Sequence, residues 1–278
     1  MIVVNKAVVK PKLLAGNTID YETKNKILTE LYENQEVFTY QTVEQLEFDI
    51  ALRYHLIIGS QKLFYSGFQF RDFYSSYCNQ NYWIRTPVGG FKLQPNQRAS
   101  TALLDIFSNG QLYGTECATA IMIIIYYALL NVMREEDFDR VFQNLLLYTW
   151  NYENSLKLKT IYQNHFVSGD IVYFKNPQVH PLTPQWQGEN TVFLGNDYFY
   201  GHGAGINTAE HIIMKLNNNR IPGAYKSAYI TDHVTRIDSN QMSRFGYVPK
   251  IATDITLETL HQRDFTLLEV GNFSEVYF

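Results

Sequence analysis

The sequence has few cysteines, few charged residues, and no apolar run long enough to cross a membrane. Two of its 278 residues are cysteines, Cys78 and Cys117, which excludes a disulfide framework and leaves one disulfide at most. Reduced thiols fit an intracellular origin. The most apolar run, from Cys117 to Leu130, is shorter than the ~20 residues that a membrane-spanning helix needs. We therefore expect a buried core helix there and no membrane association.

Charge of either sign is also scarce. Charged residues make up 18% of the chain, below the usual ~25%, and the net charge is −4 with a pI near 6.0. Because no cluster of lysine and arginine is available to contact phosphates, a nucleic-acid partner is excluded. The first residues, from Met1 to Lys6, show no signal-peptide pattern. We therefore expect synthesis in the cytoplasm.

The histidines do not suggest a metal site. Six of the seven lack the spacing that metal ligands show: His55, His165, His180, His211, His233 and His261. The seventh, His202, lies among glycines. We predict neither a metal nor any other cofactor.

The apolar content, at 46% of the chain, is enough for a sizeable core. Helical periodicity comes first and short β-rich runs come later, which indicates an α+β fold. Helices are predicted at 22–33, 42–58, 98–107, 117–130, 135–147 and 209–216, and strands at 81–85, 91–93, 171–174, 191–194, 198–200 and 224–230. We expect residues 1–278 to form one domain, in which a central antiparallel sheet packs on the helix that carries Cys117. A C-terminal tail over about 238–278 has no clear role.

Cys117 follows Gly114, Thr115 and Glu116 and opens the apolar helix. A residue in the first turn of a helix lies near unpaired backbone N–H groups and the positive end of the helix dipole. Such a position lowers the pKa of a thiol and favours the thiolate. Cys117 is therefore a candidate nucleophile. The alternative is that it packs as a small buried hydrophobe, as free cysteines often do.

A cysteine nucleophile needs a base and a group that stabilises the oxyanion. Glu189 stands at the entrance of a predicted strand, and His202 follows the next strand among three glycines. Each candidate also has a plainer interpretation. Glu116 would stabilise the helix dipole, His202 would be a turn residue, and Trp150 and Trp186 would be core or interface residues. Asp170 is expected to cap its turn rather than to orient a base.

This order of residues resembles the papain-related NlpC/P60 core, in which a cysteine at a helix start precedes a Gly-Asp turn, a strand that carries the base, and a polar residue on the next strand. The base in that core is normally histidine. Here Glu189 occupies the position, and the histidine, His202, comes one strand later. A glutamate base is unusual for a cysteine nucleophile, so this departure limits the resemblance to a smaller group of families within that core.

The narrower resemblance is to the bacillus spore-coat protein-glutamine γ-glutamyltransferases, or transglutaminases. It rests on the segments Glu-Cys-Ala-Thr-Ala at 116–120, Tyr-Phe-Lys-Asn-Pro at 173–177, Gln-Trp at 185–186, Gly-Glu-Asn at 188–190, Tyr-Phe at 198–199 and His-Gly at 202–203. A weaker likeness runs from about Ile2 to Ile237. The tail from about Asp238 has no clear match to the short family pattern.

The resemblance implies a calcium-independent enzyme that forms ε-(γ-glutamyl)lysine isopeptide bonds between spore-coat proteins and releases ammonia. Its protein substrates would present glutamine and lysine. The implied location is the mother-cell cytoplasm at synthesis and then the spore coat. The implied site is Cys117 as nucleophile, Glu189 as principal acid and base, Glu116 as a glutamate that partly shares this role, and His202. Two further residues, Trp150 and Trp186, would line a substrate tunnel.

Two other functions remain open from the sequence. A cysteine peptidase or amidase would use the same thioester chemistry with water as acceptor, but a histidine would then be expected at position 189. A non-catalytic coat scaffold would use its 21 tyrosines for assembly, and replacement of Cys117 by alanine would leave its behaviour unchanged.

Overall fold

The computed structural model describes residues 1–12, 19–246, 257–259, 266–270 and 273–277. The helices of this part of the chain are α1 (Ile19–Glu33), α2 (Val43–Tyr65), α3 (Ala99–Ser108), α4 (Cys117–Val132), α5 (Glu135–Val141), α6 (Ala209–Asn217) and α7 (Ser239–Met242). The mixed α+β class predicted from the sequence is confirmed.

The strands form one large sheet and several small ones. Those that precede α4 are β1 (Ile2–Val4), β2 (Ala7–Pro11), β3 (Phe38–Tyr40), β4 (Gln69–Phe70), β5 (Trp83–Arg85), β6 (Phe91–Leu93) and β7 (Gly114–Thr115). Those that follow it are β8 (Leu146–Leu147), β9 (Leu158–Tyr162), β10 (Ile171–Lys175), β11 (Gly188–Gly195), β12 (Tyr198–Gly201), β13 (Gly205–Thr208), β14 (Tyr229–Ile237), β15 (Leu257–Thr259), β16 (Thr266–Val270) and β17 (Phe273–Tyr277).

The large sheet has six strands in the order β13-β12-β11-β10-β14-β9, and each neighbouring pair is antiparallel. One of its faces packs on the main core, to which Ile171, Val192 and Tyr200 belong. The other face contributes Val172 and Phe174 to a smaller core shared with α6. Alternation along the strands explains this division, because successive side chains point to opposite faces. The predicted antiparallel sheet is therefore present and packs on α4.

Helix α4 lies at the centre of the main core. From Ala118 to Leu129 every residue is buried, as expected of a helix that is apolar on all sides. The helix begins at Cys117, where the sequence predicts its start. Helix α2 packs along α4, and at Gly59 an added Cβ would lie 2.8 Å from a ring carbon of Tyr127. The glycine thus permits close packing and does not end α2, which continues to Tyr65.

Several predicted elements are wrong in their extent, and two of them also in their conformation. The helix predicted at 135–147 ends at Val141, and Leu146–Leu147 pairs with β6 instead. Leu145 and Leu147 are both buried, a spacing of two that suits a short strand better than a helix. The strand predicted at 224–230 begins at Tyr229 and continues to Ile237. Residues 225–228 are not part of it, because three of their backbone N–H groups donate to the side chains of Gln178 and Asn217 rather than to a neighbouring strand. The strands predicted at 81–85 and 91–93 are present as β5 and β6, which pair as an antiparallel hairpin.

A buried ion cluster joins the sheet to α2. Asp170, which is 0% exposed, accepts from Arg53 Nη1 at 2.8 Å and from Arg236 Nε and Nη2 at 2.6 and 2.7 Å. The backbone N–H of Val167 donates to the same carboxylate at 2.9 Å. Burial alone would raise the pKa of Asp170, but the two guanidinium groups outweigh burial and hold that pKa below its ordinary value. Asp170 is thus structural, and its bonds extend well beyond a turn cap.

Candidate active site

Cys117 opens onto a cavity of about 740 Å³ at the start of α4. Glu116, Trp150, Tyr173 and Asn190 are also part of its wall. Cys117 and Cys78 are both free thiols. The cavity therefore brings the candidate nucleophile together with two of the predicted site residues.

Glu116 is the N-cap of α4. Its carboxylate accepts from the backbone N–H groups of Ala118 at 2.5 Å and Thr119 at 2.8 Å. It also accepts from the Thr119 hydroxyl, which in turn accepts from the Thr149 N–H at 2.7 Å. The free N–H groups at the start of α4 are therefore occupied by the Glu116 carboxylate and are not available to stabilise a thiolate on Cys117.

The expectation of a lowered thiol pKa is therefore wrong. Burial raises the pKa of the Cys117 thiol above its ordinary value, and the nearby carboxyl groups of Glu189 and Glu116 raise it further. Hydrogen bonds from Asn190 only partly offset this increase, and its side-chain amide lies 3.5 Å from the sulfur. A resting thiol, rather than a thiolate, is the stable form. Its proton must be removed by a neighbouring base before it can react.

Glu189 lies in β11 and is 0% exposed. Its Oε1 accepts from the backbone N–H of Gly203 at 3.0 Å, whereas its Oε2 has no hydrogen-bond partner among the described residues. Burial raises the pKa of this carboxyl to about 8; hydrogen bonding from Gly203 and the charge of Lys215 oppose the rise. A carboxyl group with this pKa can hold a proton or release it near neutral pH.

The loop after β12 closes over the Glu189 carboxyl. An added Cβ at Gly201 would lie 2.6 Å from Cγ of Glu189, and one at Gly203 would lie 2.9 Å from its Oε2. Glycine is therefore required at both positions for close approach of the backbone. The sequence indicated such an approach, although it did not indicate which side chain the loop would enclose.

Comparisons with known proteins identify the family. The sequence model of the family described as protein-glutamine gamma-glutamyltransferase matches residues 1–246. The chain belongs to this transglutaminase family. Proteins of that name from Bacillus cereus and Bacillus anthracis are each 49% identical over 281 aligned residues, which cover all of this chain and all of each relative. A similar protein from Bacillus mycoides is also 49% identical, over 282 residues.

A solved transglutaminase structure has a fold similar to that of this chain. The transglutaminase from Geobacillus stearothermophilus, without its C-terminal extension, superimposes with a TM-score of 0.72 at 46% identity. The match covers 75% of this chain and 100% of that structure. The prediction of a transglutaminase is thereby confirmed. The relatives also align over residues 238–278, where the sequence pattern gave no clear match, so the tail has counterparts in these proteins.

His202 of this transglutaminase has both ring nitrogens engaged. Nδ1 lies 3.1 Å from the Tyr200 hydroxyl, and Nε2 lies 3.1 Å from the carbonyl oxygen of Gln69. Phe68 stacks on the ring with a centroid distance of 4.8 Å. Burial lowers the pKa of His202 to about 4. A neutral ring that donates from Nε2 and accepts at Nδ1 satisfies both contacts, and it leaves no nitrogen free to accept a proton from the thiol.

The two tryptophans have different surroundings. Trp150 forms part of the cavity wall together with Cys117. Trp186 packs against Phe70 with a ring-centroid distance of 5.3 Å, and the ammonium of Lys215 lies 5.3 Å from its ring. The structure thus places Trp150 on the same cavity wall as Cys117, the candidate nucleophile, and Trp186 in a cluster that adjoins the Glu189 loop.

Asn190 and Tyr173 are site residues to which the sequence analysis assigned no role. Asn190 hydrogen-bonds the sulfur, and Tyr173 belongs to the cavity wall. Both occur in segments that carry the family resemblance. The sequence could place Asn190 and Tyr173 in predicted strand regions, but it could not show that both side chains would lie near Cys117.

Neither a metal centre nor a membrane segment is seen in the described residues. No group of three or more His, Cys, Asp or Glu side chains within 1–12, 19–246 and the three C-terminal strands has a metal-binding arrangement. No helix within those ranges is both long and apolar enough to span a bilayer.

Proposed function

We propose that this transglutaminase forms ε-(γ-glutamyl)lysine cross-links between spore-coat proteins through a thioester on Cys117, without calcium. The observation that carries the mechanism is the pairing of a thiol at the start of α4 with a buried glutamate whose pKa is about 8. The resemblance in sequence supports the assignment of coat proteins as substrates and of the spore coat as the location. We also propose an NlpC/P60-like core, because Cys117 at the start of α4 is followed by the Gly-Asp turn at 169–170, by Glu189 on β11 and by His202 after β12, in the order of that core.

The first step transfers the acyl group of a substrate glutamine to the enzyme. The ionised Glu189 carboxylate takes the thiol proton while the sulfur attacks the γ-carboxamide carbon. The protonated Glu189 then donates that proton to the departing nitrogen, and ammonia leaves as the thioester forms. The two hydrogen bonds from Asn190 stabilise the negative charge that develops on sulfur.

The second step transfers the acyl group to lysine. A neutral lysine ε-amine attacks the thioester carbon, and the Glu189 carboxylate accepts a proton from the nitrogen. The carbon–sulfur bond breaks, and the proton on Glu189 returns to the Cys117 thiolate. The sum is a glutamine side chain plus a lysine side chain giving an isopeptide bond plus ammonia, and the enzyme regains its starting protonation.

Glu116 and His202 act around this exchange. The Glu116 carboxylate caps α4 and adds negative charge next to the thiol, so it favours return of the proton at the end of each cycle and partly shares the acid–base role. The ring of His202, held between Phe68 and the Gln69 carbonyl, supports the loop that encloses Glu189. The aromatic wall that includes Trp150 excludes water from the thioester and so favours aminolysis over hydrolysis.

The decisive experiment measures incorporation of a fluorescent primary amine into a glutamine-bearing protein, with EDTA present. Wild type should incorporate the amine, Cys117→Ala should fall to background, and Cys78→Ala should match wild type, because Cys78 lies outside the cavity wall described above. Incorporation that disappears with EDTA would refute calcium independence. Cys117-dependent deamidation or cleavage without incorporation would indicate a hydrolase, and no activity in any assay would indicate a coat scaffold.

The coat assignment needs a separate test. A fluorescent fusion produced during sporulation should appear first in the mother cell and then around the spore. Coats from a strain carrying Cys117→Ala should contain fewer ε-(γ-glutamyl)lysine bonds after complete proteolysis. An unchanged content of this isopeptide would contradict the assignment.

A further inference from the structure

The carboxyl group of Glu189 is hydrogen-bonded by a loop, and a lysine on α6 is hydrogen-bonded to the same loop. The loop between β12 and β13 supplies the Gly203 N–H that donates to Glu189 Oε1 at 3.0 Å. The carbonyl of the same residue, Gly203, accepts from the ammonium of Lys215 at 2.6 Å. A single residue of the loop therefore connects the active-site acid to a lysine on α6.

Lys215 has a second contact that fixes its position. Its ammonium lies 5.3 Å from the ring centroid of Trp186, a distance at which a cation is attracted by the aromatic face. The ring of Trp186 packs in turn on Phe70. The backbone of α6 is anchored nearby, since Ile212 and Leu216 are buried in the smaller core. The lysine side chain is exposed along its length, but its charged end is directed towards the loop and the indole.

We propose that Lys215 is a positioning residue for the transfer reaction, which holds the Gly203 loop in place over Glu189 and supplies the positive charge beside that carboxyl. This inference rests on the function proposed above. It assigns to a surface lysine a part in the acid–base step that the fold and the family match do not assign.

The charges that act on Glu189 come from several elements. Its electrostatic neighbours are Glu116 and Cys117 at the start of α4, Tyr173 on β10, Tyr200 on β12, and Lys215 on α6. Backbone N–H groups of His202 and Gly203 also face it. In this set the ammonium of Lys215 carries the positive charge, and it lowers the pKa of Glu189 whereas Glu116 raises it. Loss of Lys215 should therefore raise this pKa further.

The test is the pH dependence of amine incorporation by full-length Lys215→Met, Lys215→Gln and Lys215→Arg. In the Lys215→Met and Lys215→Gln variants the rise of kcat/KM with pH should move about 0.5–1 pH unit to the alkaline side, because loss of the nearby cation raises the pKa of Glu189. Gln retains a hydrogen-bond donor for the Gly203 carbonyl, so a shift in both variants isolates the effect of charge. Arg keeps the charge and should restore the wild-type profile.

A matched control is Lys226→Met. Lys226 is an exposed lysine whose ammonium lies 5.8 Å from the Tyr225 ring, so the control removes the same charge and the same kind of contact away from Glu189. Its pH profile should match that of wild type. Thermal unfolding of each variant shows whether a loss of activity comes from loss of fold.

The outcomes separate this inference from the function on which it rests. Wild-type activity with unshifted profiles in Lys215→Met and Lys215→Gln would overturn the role of Lys215 and leave the transferase intact. An equal loss at every pH, with a lowered melting temperature, would show a structural role alone and also overturn it. Absence of Cys117-dependent incorporation in wild type would instead contradict the proposed function itself.

Discussion

Asp170 and Glu189 are both completely buried acids of the large sheet region: Asp170 directly precedes β10, and Glu189 lies in the neighbouring strand β11. Asp170 accepts four hydrogen bonds, from Arg53, Arg236 and Val167, whereas one carboxylate oxygen of Glu189 has no partner in the described part of the chain. The pKa of Asp170 is accordingly lowered, and that of Glu189 is raised to about 8.

The difference separates an acid that stabilises the fold from the acid that we propose for the proton transfers. A buried carboxylate with paired guanidinium groups stays ionised and fixes the elements around it. A buried carboxyl with incomplete hydrogen bonding destabilises the fold when it ionises, but it can exchange a proton near neutral pH. Replacing each acid by its amide should therefore have opposite effects on stability and very different effects on activity.

The largest expected effect is on the activity of Glu189→Gln. The amide keeps the shape of the side chain but cannot take the thiol proton, so kcat/KM for amine incorporation should fall about 10²–10⁴-fold. In wild type, kcat/KM should rise with pH up to about 8 and then level off, because the carboxylate is the reactive form. That dependence should be absent in the variant. Glu210→Gln, an exposed acid on α6, is the control and should retain the wild-type profile.

The second effect is on the stability of Asp170→Asn. Loss of the negative charge leaves Arg53 and Arg236 buried without it, and the free energy of unfolding at pH 7 should fall by about 3–5 kcal/mol. Chemical denaturation measures this difference. Asp137→Asn removes an acid paired with the exposed side chains of Arg134 and Arg140 and should lose no more than about 1 kcal/mol. Equal losses of unfolding free energy in the two variants would contradict a special structural role for the buried carboxylate of Asp170.

The third effect is a gain of stability in Glu189→Gln. The folded-state pKa of about 8 lies above the unfolded value of about 4.3, so the native state binds the proton more tightly. Stability of wild type should then fall as pH rises from about 4.3 to about 8. The variant lacks this fall and should be more stable by about 1–3 kcal/mol at pH 8.5, allowing for an unpaired amide group.

The measurement is denaturation of wild type and Glu189→Gln across pH 4 to 9. The two curves should converge at the acid end, where wild-type Glu189 is protonated in both states. A variant that is less stable than wild type at pH 8.5 would mean that the native structure favours the ionised form, contrary to the environment of Oε2. Glu210→Gln should show no pH-dependent difference from wild type.

The smallest expected effect concerns Trp150. Its ring forms part of the wall beside Cys117, and Trp150→Ala would admit water to the thioester. The ratio of deamidation to amine incorporation should increase several-fold, a change of about 1 kcal/mol in relative barriers. Tyr74 borders the same cavity but is 93% exposed, so Tyr74→Ala should leave the ratio nearly unchanged. Mass spectrometry of the glutamine substrate gives both products.

Several features could be predicted from the sequence because their causes are local. The apolar run after Cys117 could only be a buried helix, and the helix begins at the predicted residue. Alternating strands after residue 170 indicated an antiparallel sheet, and Asp170 was expected to be structural. The transglutaminase family followed from the joint order of Glu116, Cys117 and Glu189 with their short flanking segments.

Other features depend on contacts between distant segments. A helix start suggested a lowered thiol pKa, but burial of Cys117 and the carboxyl group of Glu189, which β11 brings close to it, raise that pKa instead. Leu145 and Leu147 fit a helical pattern in sequence, yet pairing with β6 makes this segment a strand. Neither outcome has a signal in the residues nearby, because the competing conformations differ little in local propensity.

By itself, the sequence determined the mixed α+β class and the family, and it singled out Cys117 and Glu189 as the candidate nucleophile and acid, since periodicity and residue order are local properties. Only the tertiary structure decided what each ionisable group does. The pKa of a buried acid depends on which charges and N–H groups other segments bring within a few ångströms. Arg53 on α2 and Arg236 on β14 pair with Asp170 directly. Glu189 receives one hydrogen bond from Gly203 and the charge of Lys215, which only partly offset the effect of burial on its pKa. That arrangement keeps Asp170 ionised as a structural anion and raises the pKa of Glu189 to about 8, which suits the proton-transfer role that we propose for it.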